Sequence, residues 1–382
     1  MKIGVPMETA RGDRRVALIP DSVAALIKKG FEIIVQSRAG EDAEYPDSAY
    51  EQKGAQIAAS REEVFQKADI LVEVSMLSNP SAVRGADLAM LRKDQAVIGF
   101  MNPLGNPGFM KELAGHGVTA FALELLPRIT RAQSMDALSS MATCAGYKAV
   151  LMAAEALPRF FPMFMTAAGT VTPARVFIVG AGVAGLQAIA IARKLGAVVH
   201  AYDVRPAVKQ EVESLGGKFV ELELDTAQSA DSGGYAKAMD ETFYAKQREM
   251  MHGVIAKSDV VITTAAVPGK KAPVLVTKEM VEAMPPGSVI IDLAAEQGGN
   301  CELTEPGETI THNRVKIIGP LNLPSSVAYH ASQMYSKNIT TFILNLVKDG
   351  KLDLDADDEI IRDSMVTRGG QVVHPRVKEL LG

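Results

Sequence analysis

Three glycines, one aspartate and a short charged loop are the residues of this sequence best suited to chemistry. Gly180, Gly182 and Gly185 carry the G-x-G-x-x-G spacing, directly after an apolar run and at the start of an apolar helical pattern. The first glycine permits a tight turn, the second leaves room for pyrophosphate, and the third lets helix and strand pack closely. Val183 and Ala184 fall in the first helical turn, where unpaired N–H groups and the helix dipole favour phosphate. Asp203 ends the next apolar run, ~20 residues beyond the first glycine, where a carboxylate meets the ribose hydroxyls of an adenosine. The same carboxylate repels a 2′-phosphate by roughly 4 kcal/mol per pair of unit charges, at ~4 Å and an effective dielectric of ~20. NAD is therefore expected over NADP. Val204 follows, and Arg205 is read as a surface arginine beside Pro206, although an arginine there can accommodate a 2′-phosphate. Ala266 and Val267 follow a further apolar run, and strand ends line the ligand crevice in such sheets. The plainer reading of that stretch is a proline-glycine turn.

A second group of residues lies in LPRITRAQSMDALSS, from Leu126 to Ser140. Thr130 and Gln133 fit a capping box, with Asp136 near the start of the following helix. That account leaves Arg128 and Asp136 as unassigned charges at an interdomain hinge, a common place for ligand clefts. Residues 225–240, DTAQSADSGGYAKAMD, are small and polar and contain Gly234, Tyr235 and Met239. A stretch of this kind inside a compact domain is a lid, a binding loop or a solvated insertion.

The elements that must position these residues alternate between strand and helix. Residues 2–6, 32–36, 70–74, 97–100 and 118–123 read as strands, with helical patterns at 21–29 and 61–68 among them. The second half repeats the rhythm, with strands at 175–179, 198–203, 259–266, 288–294 and 315–318 and the fingerprint helix at 183–195. Two Rossmann-like, doubly wound α/β domains with mostly parallel sheets follow. Long helical stretches at 136–157 and 327–347 bridge them. The first domain is thus expected to be discontinuous, 1–136 plus 327–382, around a dinucleotide-binding domain at 137–326.

Composition narrows the class. The 382 residues carry a net charge of −5, and 47% are hydrophobic, enough for two packed cores and incompatible with wholesale disorder. No basic block marks a nucleic-acid surface. Two cysteines build no disulfide framework and suit a reducing cytosol. The six histidines form no metal-ligand spacing. The start is too quickly charged for a signal peptide. Residues 176–192 imitate a membrane span, but a span needs ~20 apolar residues, and the glycines fit a buried strand feeding a buried helix.

PRITRAQSMDALSSMATCAGYKAV, GAGVAGLQAIA, LGGKF, GGYAKAM, ITTAAVPGKKAPVLVT, GSVIIDLAAEQGGNC and the opening IGVPMETARGDRRVALIP are the segments that carry a likeness. Together they resemble the NAD(H)-binding component of proton-translocating nicotinamide nucleotide transhydrogenases, from residue 3 to about residue 345. The resemblance implies a subunit that holds NAD(H) and passes hydride to NADP+ on a partner component, coupled to proton movement through a membrane component. It implies a homodimer, cytoplasmic itself and held at the cytoplasmic face of the inner membrane by its partners. By this likeness Gln133 bridges toward the partner's nucleotide and is the catalytic residue. Arg128 and Asp136 fix the nicotinamide, Ser139 meets its carboxamide, and Ile129 and Thr130 complete the loop. Gly234, Tyr235 and Met239 fall on the family's mobile lid. Alanine dehydrogenase, a related enzyme, shares the opening segment and the fingerprint. Its substrate lysine, near residue 73, and catalytic histidine, near residue 102, are both missing here, where the sequence reads Leu71-Val72-Glu73-Val74-Ser75 and Phe100-Met101-Asn102-Pro103, while Arg15 is kept. An amino-acid oxidoreductase and a non-catalytic NAD-binding regulatory module are the alternative readings.

Overall fold

The computed structural model describes residues 1–76, 81–221, 240–266, 269–355 and 357–382. The chain forms two compact units, Met1–Met141 with Pro324–Gly382, and Ala142–Leu323. The boundary falls inside a long helix, Ala137–Ala156.

The first stretch lays down β1 (Lys2–Val5), β2 (Glu32–Gln36), β3 (Gln56–Ala58), β4 (Ile70–Ser75), β5 (Ala96–Phe100) and β6 (Thr119–Ala122). All pair in parallel, in the order β3-β2-β1-β4-β5-β6. Their apolar runs are continuous rather than alternating because both faces of a parallel sheet are covered. Leu71 and Val97 enter one core with Val64, Phe65 and Leu113. Ile70, Val72 and Ile98 are equally buried and, by the period of two, point the other way. Burying each such side chain contributes about 1.5–3 kcal/mol. The β4–β5 register slips between Val72 and Ser75, a bulge that takes backbone N–H groups out of the ladder. Gly99 makes room for it, since a Cβ there would lie 2.5 Å from the Glu73 carbonyl oxygen.

The second unit opens with an exposed hairpin, β7 (Phe164–Thr166) and β8 (Gly169–Val171). Its main sheet comprises β9 (Arg175–Val179), β10 (Val198–Tyr202), β11 (Lys218–Phe219), β12 (Val260–Thr263), β13 (Val289–Asp292), β14 (Thr309–His312) and β15 (Val315–Ile318). The order is β11-β10-β9-β12-β13-β15-β14, parallel except for β14. The doubly wound pattern 3-2-1-4-5-6 is followed here by one antiparallel edge strand. β9 shows why both faces close: Val176 and Ile178 join the core that holds Ala149 and Ala188. Phe177 and Val179 join the opposite core, with Met251 and Ile255. The apolar stretch 176–192 is β9 followed by the helix Val183–Lys194. Among the described residues no helix is long and apolar enough to cross a membrane.

The helix Ala328–Leu346 belongs to the first unit, burying Tyr335, Ile339, Phe342 and Ile343. Phe342 meets Phe121 edge-on at 5.7 Å, and Ser332 and Ser336 accept from the N–H groups of Val16 and Ile19. β16 (Val347–Lys348) and β17 (Lys351–Leu352) form a small hairpin. β18 (Met365–Arg368) then adds antiparallel to β6, and β19 (Gln371–Val372) to β18. Strand–helix alternation was legible from the apolar runs. Short edge strands such as β3, β14 and β19 were not, because each is held by one neighbour and carries little hydrophobic signal of its own.

Candidate functional site

The fingerprint loop leaves β9 through Gly180, whose φ of +98° is open to glycine. Its N–H donates to the Tyr202 carbonyl at 2.8 Å, and its own carbonyl accepts from the Thr264 hydroxyl at 3.0 Å. A Cβ on Gly185 would stand 1.9 Å from the Gly180 oxygen, so this glycine sets the closeness of helix to strand. Gly182 differs: a Cβ there would meet nothing within 4 Å. It caps the helix Val183–Lys194 without a side chain. The first-turn N–H groups of Val183, Ala184 and Gly185 have no partner within the helix. Open space beside a glycine and unpaired amides fits a dinucleotide pyrophosphate. A tight approach at Gly146, whose Cβ would lie 2.1 Å from the Ala184 carbonyl oxygen, holds that turn from behind.

Asp203 is buried just beyond β10. One carboxylate oxygen accepts from the Ala181 N–H at 2.8 Å and from Arg205 Nη2 at 2.9 Å. The other accepts from the Arg205 N–H and Nε at 2.8 and 2.9 Å. Arg205 is therefore not the surface arginine read from the sequence. It folds back two residues and neutralises the carboxylate, leaving only 16% of its side chain exposed. Val204 packs at the edge of the Phe177 core. Ala266 is half-buried beyond β12. Gln247 was missed by sequence reading. It is buried on the helix Glu241–Ile255, and its carboxamide oxygen has no hydrogen bond among the described residues. A polar residue on the apolar side of the helix Glu241–Ile255 was the available signal. Gly234, Tyr235, Met239 and Val267 lie outside the described residues.

The loop set lies in the first unit. Thr130–Met135 is a 3-10 turn anchored by buried Ala132 and Met135. Arg128, Thr130 and Gln133 are exposed, while Ile129, Asp136 and Ser139 are half-buried. The capping box on Thr130 does not form; no side chain caps this turn. Asp136 is the cap instead, accepting from the Ser139 N–H at 2.8 Å and its hydroxyl at 2.5 Å, one turn into the helix Ala137–Ala156. Asn338 braces the loop by donating to the Ser134 carbonyl and pairing with the Ser140 hydroxyl.

The same unit buries a network around Arg15 and Glu73. Arg15 grips Asp13 in a two-bond fork of 2.8 and 2.5 Å. Ser75 donates to Asp13 at 3.0 Å. Arg61 forks onto Asp87 at 2.7 and 2.9 Å and also bonds Glu73. Glu8 accepts the N–H groups of Val74 and Ser75 at the β4 bulge. Burial, then the charges of Glu73 and Asp13, push the Glu8 carboxyl up to about 8. Burial opposes charge at Asp13 too, but the Arg15 fork outweighs it and holds that carboxyl below its ordinary value.

Two family models cover nearly the whole chain: the alanine dehydrogenase/PNT N-terminal domain matches residues 4–145 and the C-terminal domain residues 149–375. The chain is 48% identical over 379 residues to the first of the chains that make up NAD(P) transhydrogenase subunit alpha in Rhodospirillum rubrum, covering 98% of each. It is 43% identical over 379 residues to NAD(P) transhydrogenase subunit alpha of Haemophilus influenzae, over 98% of this chain and 72% of that one. It superposes on a crystal structure of transhydrogenase from Sinorhizobium meliloti with a TM-score of 0.87 at 43% identity, over 98% of this chain and 100% of that one. An L-alanine dehydrogenase structure gives 0.81 at 26% identity, over 100% and 99%. Both matched halves carry the architecture described above, and the chain belongs to the alanine dehydrogenase/PNT family.

Proposed function

We propose that this chain is the NAD(H)-binding component of a proton-translocating transhydrogenase. It passes hydride directly between NADH and NADP+ held by a partner component, coupled to proton movement through a membrane component. The family also contains amino-acid oxidoreductases, and the observation that favours transhydrogenation over them is the Arg15–Asp13 fork. A keto-acid substrate needs a cation for its carboxylate. Here the buried Arg15 is already matched by Asp13, and Arg61 by Asp87 and Glu73. Glu8 keeps its proton up to about 8, but Asp13, Asp87 and Glu73 still outnumber the two guanidiniums, so the cluster repels a further carboxylate.

The nicotinamide supplies the hydride when bound; the protein positions and excludes water. Gly180, Gly182 and the amides of Val183, Ala184 and Gly185 hold the pyrophosphate. Asp203, with Val204 and Arg205, holds the adenosine ribose. Ala266 and Val267 line the crevice, and Gly234, Tyr235 and Met239 close it, the last by family resemblance alone. Arg128, Ile129, Thr130, Asp136 and Ser139 serve the nicotinamide end. Exposed Gln133 is left for the partner's nucleotide, and its neutral carboxamide suits a step in which no side chain gains or loses a proton. Catalysis of this kind is alignment of reacting carbons at ~3–3.5 Å.

The chain acts as a homodimer at the cytoplasmic face of the inner membrane, held there by its partners. Apolar side chains on and beside the β7–β8 hairpin support self-association: Met165 is 78% exposed, and Phe160, Met163 and Phe164 are exposed as well. The deciding experiment follows hydride transfer from NADH to a spectrally distinct NADP analogue with this chain, the NADP-binding partner, and the two mixed. Transfer only in the mixture is expected. No transfer in the mixture despite tight NADH binding returns the choice to amino-acid substrates.

A further inference from the structure

In the second unit the strand order reverses between β9 and β12, dividing the crevice at the strand carboxyl ends into two halves. In this topology the adenosine half lies over β9, β10 and β11, and the other mononucleotide over β12, β13 and β15. Beneath that second half sits a polar knot. Asp292 ends β13 fully buried. Its Oδ1 accepts from the Thr263 hydroxyl at 2.9 Å and the Ala294 N–H at 3.0 Å. Its Oδ2 accepts from the N–H groups of Asn300 and Cys301, at 2.7 and 2.9 Å, and from the Thr304 hydroxyl at 2.7 Å. Gly298 and Gly299 make the turn between, both at positive φ. A Cβ on Gly299 would come within 2.9 Å of Asp292 Oδ2.

Asn300, also fully buried, is thereby aimed at the backbone that follows β12. Its Oδ1 accepts from the Ala265 N–H at 3.0 Å, and its Nδ2 donates to the carbonyls of Ala265 and Pro273, both at 2.8 Å. β12 ends at Thr263, so Ala265 has no strand partner; the asparagine side chain stands in for one, pairing with both groups of a single residue. One residue earlier, Thr264 is tied to the fingerprint through the Gly180 carbonyl. The backbone that leaves β12 at the middle of the crevice is thus fixed at two successive residues by side-chain hydrogen bonds, Thr264 to the fingerprint and Ala265 to Asn300.

We propose that Asn300, carried by Asp292, is a positioning residue for the nicotinamide half of the dinucleotide: it sets the depth of the backbone leading into Ala266. The inference rests on the NAD(H) reading of this unit. Its test compares two ligands. 5′-AMP occupies only the adenosine half, whereas NADH occupies both. Asn300→Asp keeps the side-chain size and the acceptor to Ala265, but it removes the donors and sets a carboxylate against two carbonyl oxygens. Leaving buried acceptors unpaired in this way is expected to weaken NADH by about tenfold while 5′-AMP stays within about twofold. A general loss of structure would weaken both and would not produce the split. Thr304→Val, which removes one of the five bonds to Asp292, gives a smaller split in the same sense and serves if Asn300→Asp fails to fold. Parallel loss of both ligands in a folded variant, or loss of neither, overturns the inference. Wild-type protein that binds neither ligand overturns the NAD(H) reading beneath it.

Discussion

The four acceptor positions of the Asp203 carboxylate are filled by Ala181 and Arg205. A ribose diol therefore competes with a guanidinium for them, and the carboxylate's power to repel a 2′-phosphate is partly cancelled. Asp203→Ala is expected to narrow the NADH-over-NADPH preference, and Arg205→Ala, which unmasks the carboxylate, to widen it, each by about tenfold, as for a charge-assisted hydrogen bond. Fluorescence titration with both nucleotides checks this; an unchanged ratio in both variants removes the pair from the ribose. Gln133 needs a different measurement. Gln133→Asn withdraws the carboxamide by one methylene, so NADH affinity should hold while hydride transfer slows by roughly 100-fold. Stopped-flow transfer with the partner present, set beside the NADH Kd, separates the two; equal losses make Gln133 a simple binding residue. The fingerprint and Asp203 were legible because the signal is local and spacing alone carries it. The partner of Arg205 was not, because nothing in a sequence says which way a side chain turns. Thr130 with Gln133 fitted a capping box, but that stretch winds as an uncapped 3-10 turn and the side-chain cap falls to Asp136, nearer the start of the following helix.

At the scale of the element, the two later fingerprint glycines have separable duties. Gly185→Ala drives a methyl into the Gly180 carbonyl and should cost about 1–3 kcal/mol of stability, as overpacking does. Gly182→Ala meets no atom of the described residues, so its stability should lie within about 1 kcal/mol of wild type. Its methyl takes the phosphate's space, and NADH affinity should fall more than about tenfold. Denaturant melts paired with NADH titrations distinguish them; a stability loss at Gly182 as large as at Gly185 would place its Cβ against the protein instead. Strands such as β2 and β9 could be read to the residue because both faces of each are buried and the apolar run stops where burial stops. The Asp292–Asn300 knot could not be read, since its meaning depends on a turn that folds Asn300 back toward β12.

For the molecule as a whole, the buried carboxyl of Glu8 ties stability to pH. In the unfolded chain this group ionises near 4.5, whereas the fold holds the proton to about 8. Between those values the folded form binds more protons, so this group makes stability fall as pH rises through the window. Glu8→Gln does not titrate and should flatten the change in Tm between about pH 5 and about pH 8. An undiminished slope would assign the proton to another group.

The pairing of β18 with β6 carries a consequence for synthesis. The Thr367 hydroxyl that receives the Ala120 N–H stands 247 residues downstream of it. While the ribosome makes the whole intervening unit, β6 waits as an open edge, and closing so long a loop is slow relative to local folding. The inserted unit has all its strands in hand before the flanking one does. The usual order, in which the amino-terminal domain completes its fold first, is not open to a sheet whose last two strands are made after the inserted unit. The first unit emerges early, and its sheet is completed only when β18 and β19 follow the inserted unit.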